Sequence, residues 1–402
     1  MDQQTVRKTY TYKLQPTPQQ EQALAFVVRR CRALYNAGLQ ERRDAWQQCG
    51  VRITAANQSA QLPAIKEVRP EYRDVHSQVL QDVLTRLDRA FQAFFRRVQA
   101  GETPGYPRFY GATRYHSCTD KQFGNGATLD NGFLVLAKLG RIAVRWRRPL
   151  EGTPETVTIS READGWYAGF ACEGVPVQPL PPTGQETGSD LGVESFATRS
   201  DGSQIANPRL LRLAERRLQR AQRRVSRRTQ GSHRRRKAVR LLARAHQKVP
   251  RARRDFQHKV ARSLVRRYDT IYHEDLQTAH LLRNHQLARS IAGAGWSGFL
   301  SILAFMAGCA GKRAVAVPSA YTSQRCSGPQ CGERVAKGLS VRWHTCPHCG
   351  TSLQRDHNAA RNIEWAGQAL GGGVALAASE NRASPGLSRG SVNIWVLAWP
   401  GG

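Results

Sequence analysis

The chain has 402 residues, and its 61 Lys and Arg against 30 Asp and Glu give a formal net charge of +31. The length exceeds that of one average domain, so two or three separately folding cores are expected. Catalytic residues alone cannot account for such a charge, which instead implies a polyanionic partner, most commonly nucleic acid.

The cysteines and the amino terminus indicate a protein of the reducing cytoplasm. Nine cysteines are an odd number, and five of them are scattered along the chain, which argues against a disulfide framework. Residues 1–15 lack the apolar segment of a signal peptide. We therefore predict a cytoplasmic protein.

The amino-terminal part predicts one strand followed by helices. Residues 5–14 alternate polar and apolar side chains, as in a strand. Apolar residues recur at helical spacing within about 20–46 and 75–98, so residues 17–100 are predicted to form a small helical bundle.

From about residue 104 to 177 the chain has short alternating runs separated by Gly and Pro, which predict strands. The first strand could pair with this block across the helical segment and give a β-barrel interrupted by helices. The segment VPVQPLPPTGQETG, rich in Pro and Gly, then marks a domain boundary.

A strongly basic segment follows a predicted strand hairpin with Asp201 and Gly202 at its turn. Residues 209–254 contain nineteen Lys and Arg and one acid, Glu215. Two apolar stripes separated by TQGSH predict two helices that pack as an antiparallel hairpin. This charge density would repel itself strongly unless a polyanion lay alongside. The predicted contacts with nucleic acid are Arg216, Arg220, Arg223, Arg227 and Arg234.

The uncharged stretch at residues 291–310 is long enough to span a bilayer. Its glycines and serines dilute the hydrophobicity, and Trp296, Phe299, Leu303 and Met306 recur at helical spacing. We therefore predict a helix buried against a sheet and no membrane partner.

Three acids lie where a strand ends or a helix begins. Asp190 stands in SDLGVESFA, Glu274 closes the predicted strand TIYHE, and Asp356 opens a helical pattern in RDHNAARNI. They can converge at one end of a sheet. Carboxylate oxygens are the ligands that magnesium prefers, and two magnesium ions about 3.5–4 Å apart can hydrolyse a phosphodiester. The order strand, helix, strand, helix, strand around a hairpin is typical of an RNase H-like domain.

Four cysteines are spaced as ligands of one structural zinc ion. Cys326 and Cys331 form one pair and Cys346 and Cys349 a second, with fourteen residues between the pairs. This spacing fits a tetrahedral four-thiolate site, which leaves no open position for a substrate. Asp356 follows closely, so zinc binding would position it. Asn358 and Asn362 either face the catalytic site or the scissile strand, or serve as capping or surface residues.

These motifs resemble the TnpB family, transposon-encoded RNA-guided nucleases with a split RuvC-like domain that are related to type V CRISPR effectors. The resemblance rests on DLG at Asp190, EDL at Glu274, the paired cysteines and RDxNAAxN, together with YKLQPTPQQEQAL, RALYNAGL and GYPRF upstream. It covers roughly residues 5 to 370. The first cysteine pair departs from the family pattern, because four residues separate its members where two are usual, which puts the zinc affinity in doubt.

The resemblance implies an α+β multidomain fold. Its expected parts are a wedge-type β-barrel (1–16 and 101–180), an inserted helical recognition lobe (17–100), a RuvC-like α/β domain with an inserted basic helical hairpin (184–320 and 353–371), a zinc ribbon (321–352) and a disordered tail (372–402). The family position of the helical lobe further predicts that Asn57, Ser77 and Gln81 contact a target-adjacent motif.

The resemblance further implies a magnesium-dependent, RNA-guided DNA endonuclease of a prokaryotic cytoplasm, associated with the nucleoid through nucleic acid. Its partners would be a guide RNA from the transposon end and double-stranded target DNA, with no obligate protein partner. Its cofactors would be two catalytic magnesium ions and one structural zinc ion. Two alternatives remain: a guide-directed repressor that has lost cleavage, and a transposase-like strand transferase that uses the same carboxylates.

Overall fold

The computed structural model describes residues 5–276, 278–283, 288–338 and 341–374. The chain forms two compact units. The first comprises Met1–Leu180, Leu210–Phe256 and Cys309–Gly311, and the second comprises Pro181–Arg209, Gln257–Gly308 and Lys312–Gly402.

The first unit contains a seven-stranded sheet with the order β2-β6-β7-β1-β5-β4-β3. Its strands are β1 (Thr5–Gln15), β2 (Ser117–Asp120), β3 (Ala127–Asp130), β4 (Phe133–Leu136), β5 (Gly140–Arg145), β6 (Thr153–Glu162) and β7 (Gly165–Pro176). Strand β1 pairs antiparallel with both β5 and β7. The prediction that the first strand joins the later block into one sheet is therefore confirmed. The described pairings give an open order with β2 and β3 at its ends, so barrel closure stays a prediction.

One group of helices of the first unit lies between β1 and β2 in the chain. They are α1 (Pro18–Cys49), α2 (Ala55–Ala60), α3 (Leu62–Val68), a short 3-10 helix (Pro70–Tyr72) and α4 (Ser77–Gln99). Helix α1 begins at a capping box formed by Thr17 and Gln20 and ends at Gly50, whose φ of 65° is left-handed. Leu24, Leu80 and Leu87 are buried in one core with the sheet residues Tyr10 and Phe170. The predicted apolar stripes are thus the core faces of α1 and α4.

Two further helices contain the basic segment: α5 (Leu210–Ser226) and α6 (His233–Arg267). Residues Leu210–Phe256 belong to the first unit, whereas the end of α6 from Gln257 belongs to the second. The two predicted helices are confirmed, and α6 continues through Pro250.

The second unit contains a five-stranded sheet with the order β10-β9-β8-β11-β12. Its strands are β8 (Glu186–Asp190), β9 (Ser195–Arg199), β10 (Gln204–Ala206), β11 (Thr270–Glu274) and β12 (Arg313–Val317). Strands β8, β9 and β10 pair antiparallel, and β8, β11 and β12 pair parallel. The predicted hairpin turn is confirmed, with Gly202 at φ 83°.

The remaining elements of the second unit are helices and a small ribbon. They are α7 (Thr278–Leu281), α8 (Ala288–Ala294), α9 (Trp296–Cys309), the antiparallel strands β13 (Trp343–Thr345) and β14 (Ser352–Gln354), and α10 (Arg355–Val374). Helix α10 extends to Val374, so the prediction of a disordered tail from residue 372 is wrong for residues 372–374. The rest of the predicted disordered tail, residues 375–402, lies outside the described residues.

The stretch Ala288–Cys309 is long and apolar enough to cross a membrane by length and composition alone, which is weak evidence for a span. Gly295, with φ 65°, separates it into α8 and α9. Trp296, Phe299 and Leu303 are buried, and Phe299 contacts Phe196 of β9 with ring centroids 4.9 Å apart. The predicted packing against a sheet is thus confirmed for Phe299, and the predicted burial is confirmed for Trp296 and Leu303.

Candidate active site and metal centre

Asp190 and Glu274 are the last residues of two adjacent parallel strands. Asp190 ends β8 and Glu274 ends β11. The two strands are in register one residue earlier, where Ser189 lies opposite His273. Because parallel strands end at the same sheet edge, both carboxylates lie at one edge.

Asp356 reaches the same place from α10, as the second residue of that helix. A Cβ on Gly192 would lie 3.9 Å from Asp356 Oδ2, so the carboxylate lies beside the turn that follows β8. The sequence-distant acids therefore converge within the second unit.

The electrostatics of the three acids show how close they are. Burial, together with the negative charges of Glu274 and Asp356, raises the pKa of the Asp190 carboxyl well above its usual value. Burial also raises the pKa of Glu274, although a hydrogen bond from the Thr322 hydroxyl opposes the shift. A divalent cation would relieve this crowding of negative charge, and the donors are the hard oxygens that magnesium takes.

Burial raises the pKa of Asp356 as well, while the positive charges of Arg342 and Arg355 oppose the rise. Arg342 also lies 3.5 Å from Glu194, measured from Nε to Oε2. The sequence motifs do not reveal Arg342 or Glu194, because nothing in their local sequence marks them as neighbours of Asp356.

The four predicted zinc ligands form a compact cluster. The Sγ atoms of Cys326, Cys331, Cys346 and Cys349 all lie within 4.8 Å of one another. Cys326 and Cys349 are 3.5 Å apart and Cys331 and Cys346 are 3.7 Å apart, between sulfur atoms. A tetrahedral zinc ion with bonds of about 2.3 Å requires sulfur atoms about 3.8 Å apart. The cluster is therefore compatible with a zinc site.

Among the residues that the structure describes, this is the one group of three or more His, Cys, Asp or Glu side chains whose ligand atoms all lie within 4.8 Å of one another. The three carboxylates are less tightly gathered. Hydrogen bonds with the side chain and backbone of Thr351 lower the pKa of the Cys349 thiol to about 6, which favours the thiolate that binds metal.

The long first cysteine pair closes through a turn. The amide of Cys331 donates to the Gly328 carbonyl at 3.1 Å, and Gln330 has a left-handed φ of 56°. A Cβ on Gly328 would lie 2.4 Å from Thr351 Oγ1 and 2.9 Å from Cys349 Sγ. The added residues are therefore absorbed in the turn, and all four sulfur atoms still converge.

Asn358 and Asn362 face the backbone beside the cysteine site. Their side chains donate to the carbonyl of Arg325, and Asn358 also accepts from the amide of Ser327. Neither predicted alternative describes Asn358, because its side chain is fully buried and bonds the backbone beside Cys326 rather than a catalytic carboxylate or solvent. The motif does not reveal these backbone partners, since they lie more than thirty residues away.

The five predicted hairpin arginines are all exposed in the first unit. An open hollow of about 250 Å³ is lined by Arg220, Arg223, Arg224, Arg227 and Arg228. A second hollow of about 430 Å³ is lined by the α6 residues His233, Arg236, Lys237, Arg240, Leu241 and Arg244. Only Arg220, Arg223 and Arg227 of the five predicted arginines line a hollow, and the other lining residues belong to the same basic segment, 209–254.

The three residues predicted to contact the target-adjacent motif also lie in the first unit and are exposed. Asn57 Oδ1 accepts from the amide of Thr54 in a capping box, so this oxygen already has a partner. Ser77 accepts from Lys66 Nζ at 2.7 Å. Gln81 lies one turn after Ser77 on α4.

Three family models match the chain. Residues 169–285 match a model described as "Probable transposase", residues 296–363 one described as "Cas12f1-like, TNB domain", and residues 1–50 one described as "Helix-turn-helix domain". In residues 5–50 the structure has the strand β1 and the single helix α1.

Similar solved structures include the mini-RNA-guided endonuclease CRISPR-Cas phi3, with a TM-score of 0.48, 10% identity and coverage of 89% of this chain and 92% of that one. A Cas12f1–sgRNA–target DNA complex has a TM-score of 0.35 and 13% identity, with coverage of 90% and 99%.

Curated relatives match nearly the whole chain. A "Putative RNA-guided DNA endonuclease" of Streptomyces pristinaespiralis is 37% identical over 374 residues, which are 91% of this chain and 90% of the relative. The "Putative RNA-guided DNA endonuclease InsQ" of Escherichia coli (strain K12) is 29% identical over 90% of this chain and 93% of its own length. A "TnpB-like protein L79" of Acanthamoeba polyphaga mimivirus is 30% identical over 33% of this chain and 26% of its own length. On its motifs and the two relatives that match it over nine tenths of its length, the chain belongs to the TnpB family.

Proposed function

We propose that this chain is an RNA-guided DNA endonuclease in which Asp190, Glu274 and Asp356 bind the catalytic metal. The observation that carries the proposal is the convergence of three sequence-distant carboxylates at one sheet edge, where burial and the negative charges of Glu274 and Asp356 raise the pKa of Asp190. The names of two full-length relatives support the RNA-guided activity.

Two bound magnesium ions would supply an activated water and neutralise the leaving oxygen of a phosphodiester. Asp190 and Glu274 would hold the metal from the ends of paired strands, whose backbones are fixed by the sheet. Asp356 would complete the site from the first turn of α10, where the helix amino terminus favours a carboxylate.

We assign the second unit to a RuvC-like, RNase H-like domain. Strands β8, β9 and β10 pair antiparallel, and β11 and β12 continue the sheet in parallel with β8. Two of the proposed catalytic acids, Asp190 and Glu274, lie at the ends of β8 and β11. The cysteine cluster and the strands β13 and β14 would form the zinc ribbon, with one structural zinc ion held by four thiolates. The sheet and helices of the first unit would correspond to the wedge-type barrel and the recognition lobe.

The basic helices α5 and α6 would hold the guide RNA, transcribed from the transposon end, through its phosphates. The two hollows lined by arginine, lysine and histidine match the sequence-independent recognition of a nucleic acid backbone. Asn57, Ser77 and Gln81 would contact the motif beside the DNA target, Asn57 through its amide nitrogen.

The test compares the parent protein with Asp190→Asn, Glu274→Gln and Asp356→Asn, which keep side-chain size and remove one negative charge each. With guide RNA and magnesium, the parent should cut a matched DNA duplex, and each variant should lose cleavage by at least about 100-fold. RNA and DNA binding should persist. Cleavage at the parent rate by any variant would remove that residue from the site.

The description "Probable transposase" of the matched family model favours strand transfer as the second candidate. Strand transfer would join the cut DNA end to a second duplex, whereas hydrolysis leaves free ends. Sequencing the products formed by the parent in the presence of a second duplex distinguishes the two reactions.

A further inference from the structure

We propose that Thr322, Asn362 and Asn358 are positioning residues that connect the cysteine site to Glu274 and hold this carboxylate ready for metal. The inference rests on the proposed function, because it concerns the catalytic role of Glu274. All members of the connection lie in the second unit.

The connection begins at the carboxylate. The hydroxyl of Thr322 donates to Glu274 Oε1 and makes a longer contact, of 3.3 Å, with the carbonyl of Ser319. Thr322 is buried, with 7% of its surface exposed, so water competes little for this bond. A hydrogen bond to one oxygen fixes the rotation of the carboxyl group and leaves the other oxygen for a metal ion.

Asn362 holds the backbone of Thr322 from α10. Its Nδ2 donates to the Thr322 carbonyl at 2.8 Å and to the Arg325 carbonyl at 2.7 Å. Asn362 lies on α10, the helix that bears Asp356. Its bond to Thr322 therefore fixes Thr322, and through it the carboxylate of Glu274, relative to Asp356.

Asn358 extends the connection to the zinc ligand Cys326. Its Nδ2 donates to the Arg325 carbonyl at 2.7 Å, and its Oδ1 accepts from the Ser327 amide at 2.9 Å. These two backbone groups flank Cys326 on either side. The side chain of Asn358 is fully buried, and its carboxamide offers both the donor and the acceptor that the two groups need.

As a consequence, the segment 322–327 is fixed near both ends. Cys326 is held in the cysteine cluster, and Thr322 is held by its hydrogen bond to Glu274. A disordered cysteine site would release Thr322, and Glu274 would lose its orienting partner. The two metal centres are thus connected through the backbone of this segment rather than only through the chain that leads from Cys349 to Asp356.

The decisive variant is Thr322→Val, which removes the hydroxyl and keeps the shape. We expect cleavage by the assembled RNA–DNA complex to slow by about 10- to 100-fold, as for removal of a hydrogen bond to a charged group. Thr322→Ser should restore the rate. Binding of Mn²⁺, used as a paramagnetic substitute for magnesium and measured by electron paramagnetic resonance on a complex with uncleavable target, should weaken in parallel. Zinc content and guide-RNA affinity should stay unchanged.

Thr187→Val is the matched control, since Thr187 is equally buried but bonds Ser200 and the Gly188 carbonyl instead of a carboxylate. It should cut at the parent rate. In a second variant, Asn358→Ala, the four cysteines are intact and should retain zinc. This variant should nevertheless cut more slowly than the parent, because the bonds that hold the backbone beside Cys326 are lost.

The outcomes separate the inference from the proposed function. An inactive parent would overturn the nuclease itself. An active parent with an equally active Thr322→Val variant and unchanged Mn²⁺ binding would overturn only the positioning role.

Discussion

At the scale of single residues, two glycines determine how closely α10 approaches the sheet of the second unit. A Cβ on Gly188 would lie 2.0 Å from the Ala360 carbonyl oxygen and 2.6 Å from the Glu364 amide nitrogen. A Cβ on Gly367 would lie 1.9 Å from the ring of Tyr272. Such contacts force backbone or core side chains to move. Since α10 bears Asp356, its close packing also determines where that carboxylate lies.

Gly188→Ala should therefore destabilise the second unit by about 1–3 kcal/mol, since the atoms in its way belong to the backbone of α10. Differential scanning calorimetry measures the change. The control is Gly308→Ala in α9, where nothing lies within 4 Å and the better helix former should stabilise by roughly 0.5–1 kcal/mol. Equal unfolding temperatures for the parent and Gly188→Ala would contradict the close approach.

Gln81 is the sharpest test among the residues proposed to contact the target-adjacent motif, because it is exposed and lies on the regular helix α4. Gln81→Ala should relax or shift the required motif in a library-depletion assay, since a carboxamide can read a base edge bidentately. Gln92→Ala, exposed on the same helix, should leave the motif unchanged. An unchanged motif for substitutions of Asn57, Ser77 and Gln81 alike would refute the assignment.

At the scale of elements, α6 is anchored to the turn between β6 and β7. Arg251 donates to Asp164 Oδ2 at 2.8 Å and to the Tyr167 hydroxyl at 2.9 Å, and Gln247 donates to Asp164 Oδ1 at 2.7 Å. Burial opposes ionisation of Asp164, but its hydrogen bonds with Arg251, Gln247 and Tyr167 outweigh it and lower the pKa below the ordinary value. The anchor fixes the position of the basic helix within the first unit.

Arg251→Gln should destabilise the first unit by no more than about 1 kcal/mol at pH 7, because the arginine side chain is 44% exposed and solvent screens the pair. The lowered pKa of Asp164 means that its contribution is present above the ordinary value of 3.8 and is lost as the pH falls below it. The difference in unfolding temperature should thus narrow below about pH 4. Lys248 is exposed on the same helix, and Lys248→Gln should unfold at the same temperature as the parent both at pH 7 and below pH 4. If the difference in unfolding temperature between Arg251→Gln and the parent did not change with pH, the ion pair would be excluded as its cause.

The basic helices make a second prediction at this scale. A five-fold variant replaces Arg216, Arg220, Arg223, Arg227 and Arg234 with Gln. The slope of the logarithm of the guide-RNA binding constant against the logarithm of the salt concentration should become smaller by about 0.7–0.9 for each phosphate that an arginine no longer neutralises. A five-fold Lys variant keeps the charge and should keep the slope. The free proteins should melt alike, since all five side chains are exposed. An unchanged slope in a folded Gln variant would show that these residues are only a solvated surface.

Most elements could be predicted because their signals are local. Alternation in β1 and β7 and helical spacing in α1 and α4 follow directly from which side chains are buried. Strands β2 and β3 lie in the block predicted to form strands, but with four residues each they are too short to show alternation. The pairing of β2 with the distant β6 has no local signal, whereas β3 pairs with the neighbouring β4. For the same reason the cysteine ligands could be identified from their spacing, whereas the hydrogen bonds of Asn358 could not, because a backbone partner has no sequence signature.

At the scale of the whole molecule, the proposed activities divide between the two units. The carboxylates and the cysteine cluster lie in the second unit, and the exposed hairpin arginines lie in the first. The net charge of +31 means that the free protein repels itself, so bound polyanion should stabilise it by mass action, less so at high salt.

This division predicts the consequence of zinc removal. Because four thiolates converge only in the folded second unit, metal binding contributes to the stability of that unit and should leave the first unit alone. Chelation, or Cys346→Ser, should therefore lower one of two calorimetric transitions, reduce zinc content and reduce cleavage, while guide RNA still binds. Cys49→Ser, at an exposed cysteine outside the cluster, should change none of these. If chelation instead shifted both transitions together or abolished RNA binding, the zinc site would stabilise the whole molecule. The prediction that zinc stabilises only the second unit would then be wrong.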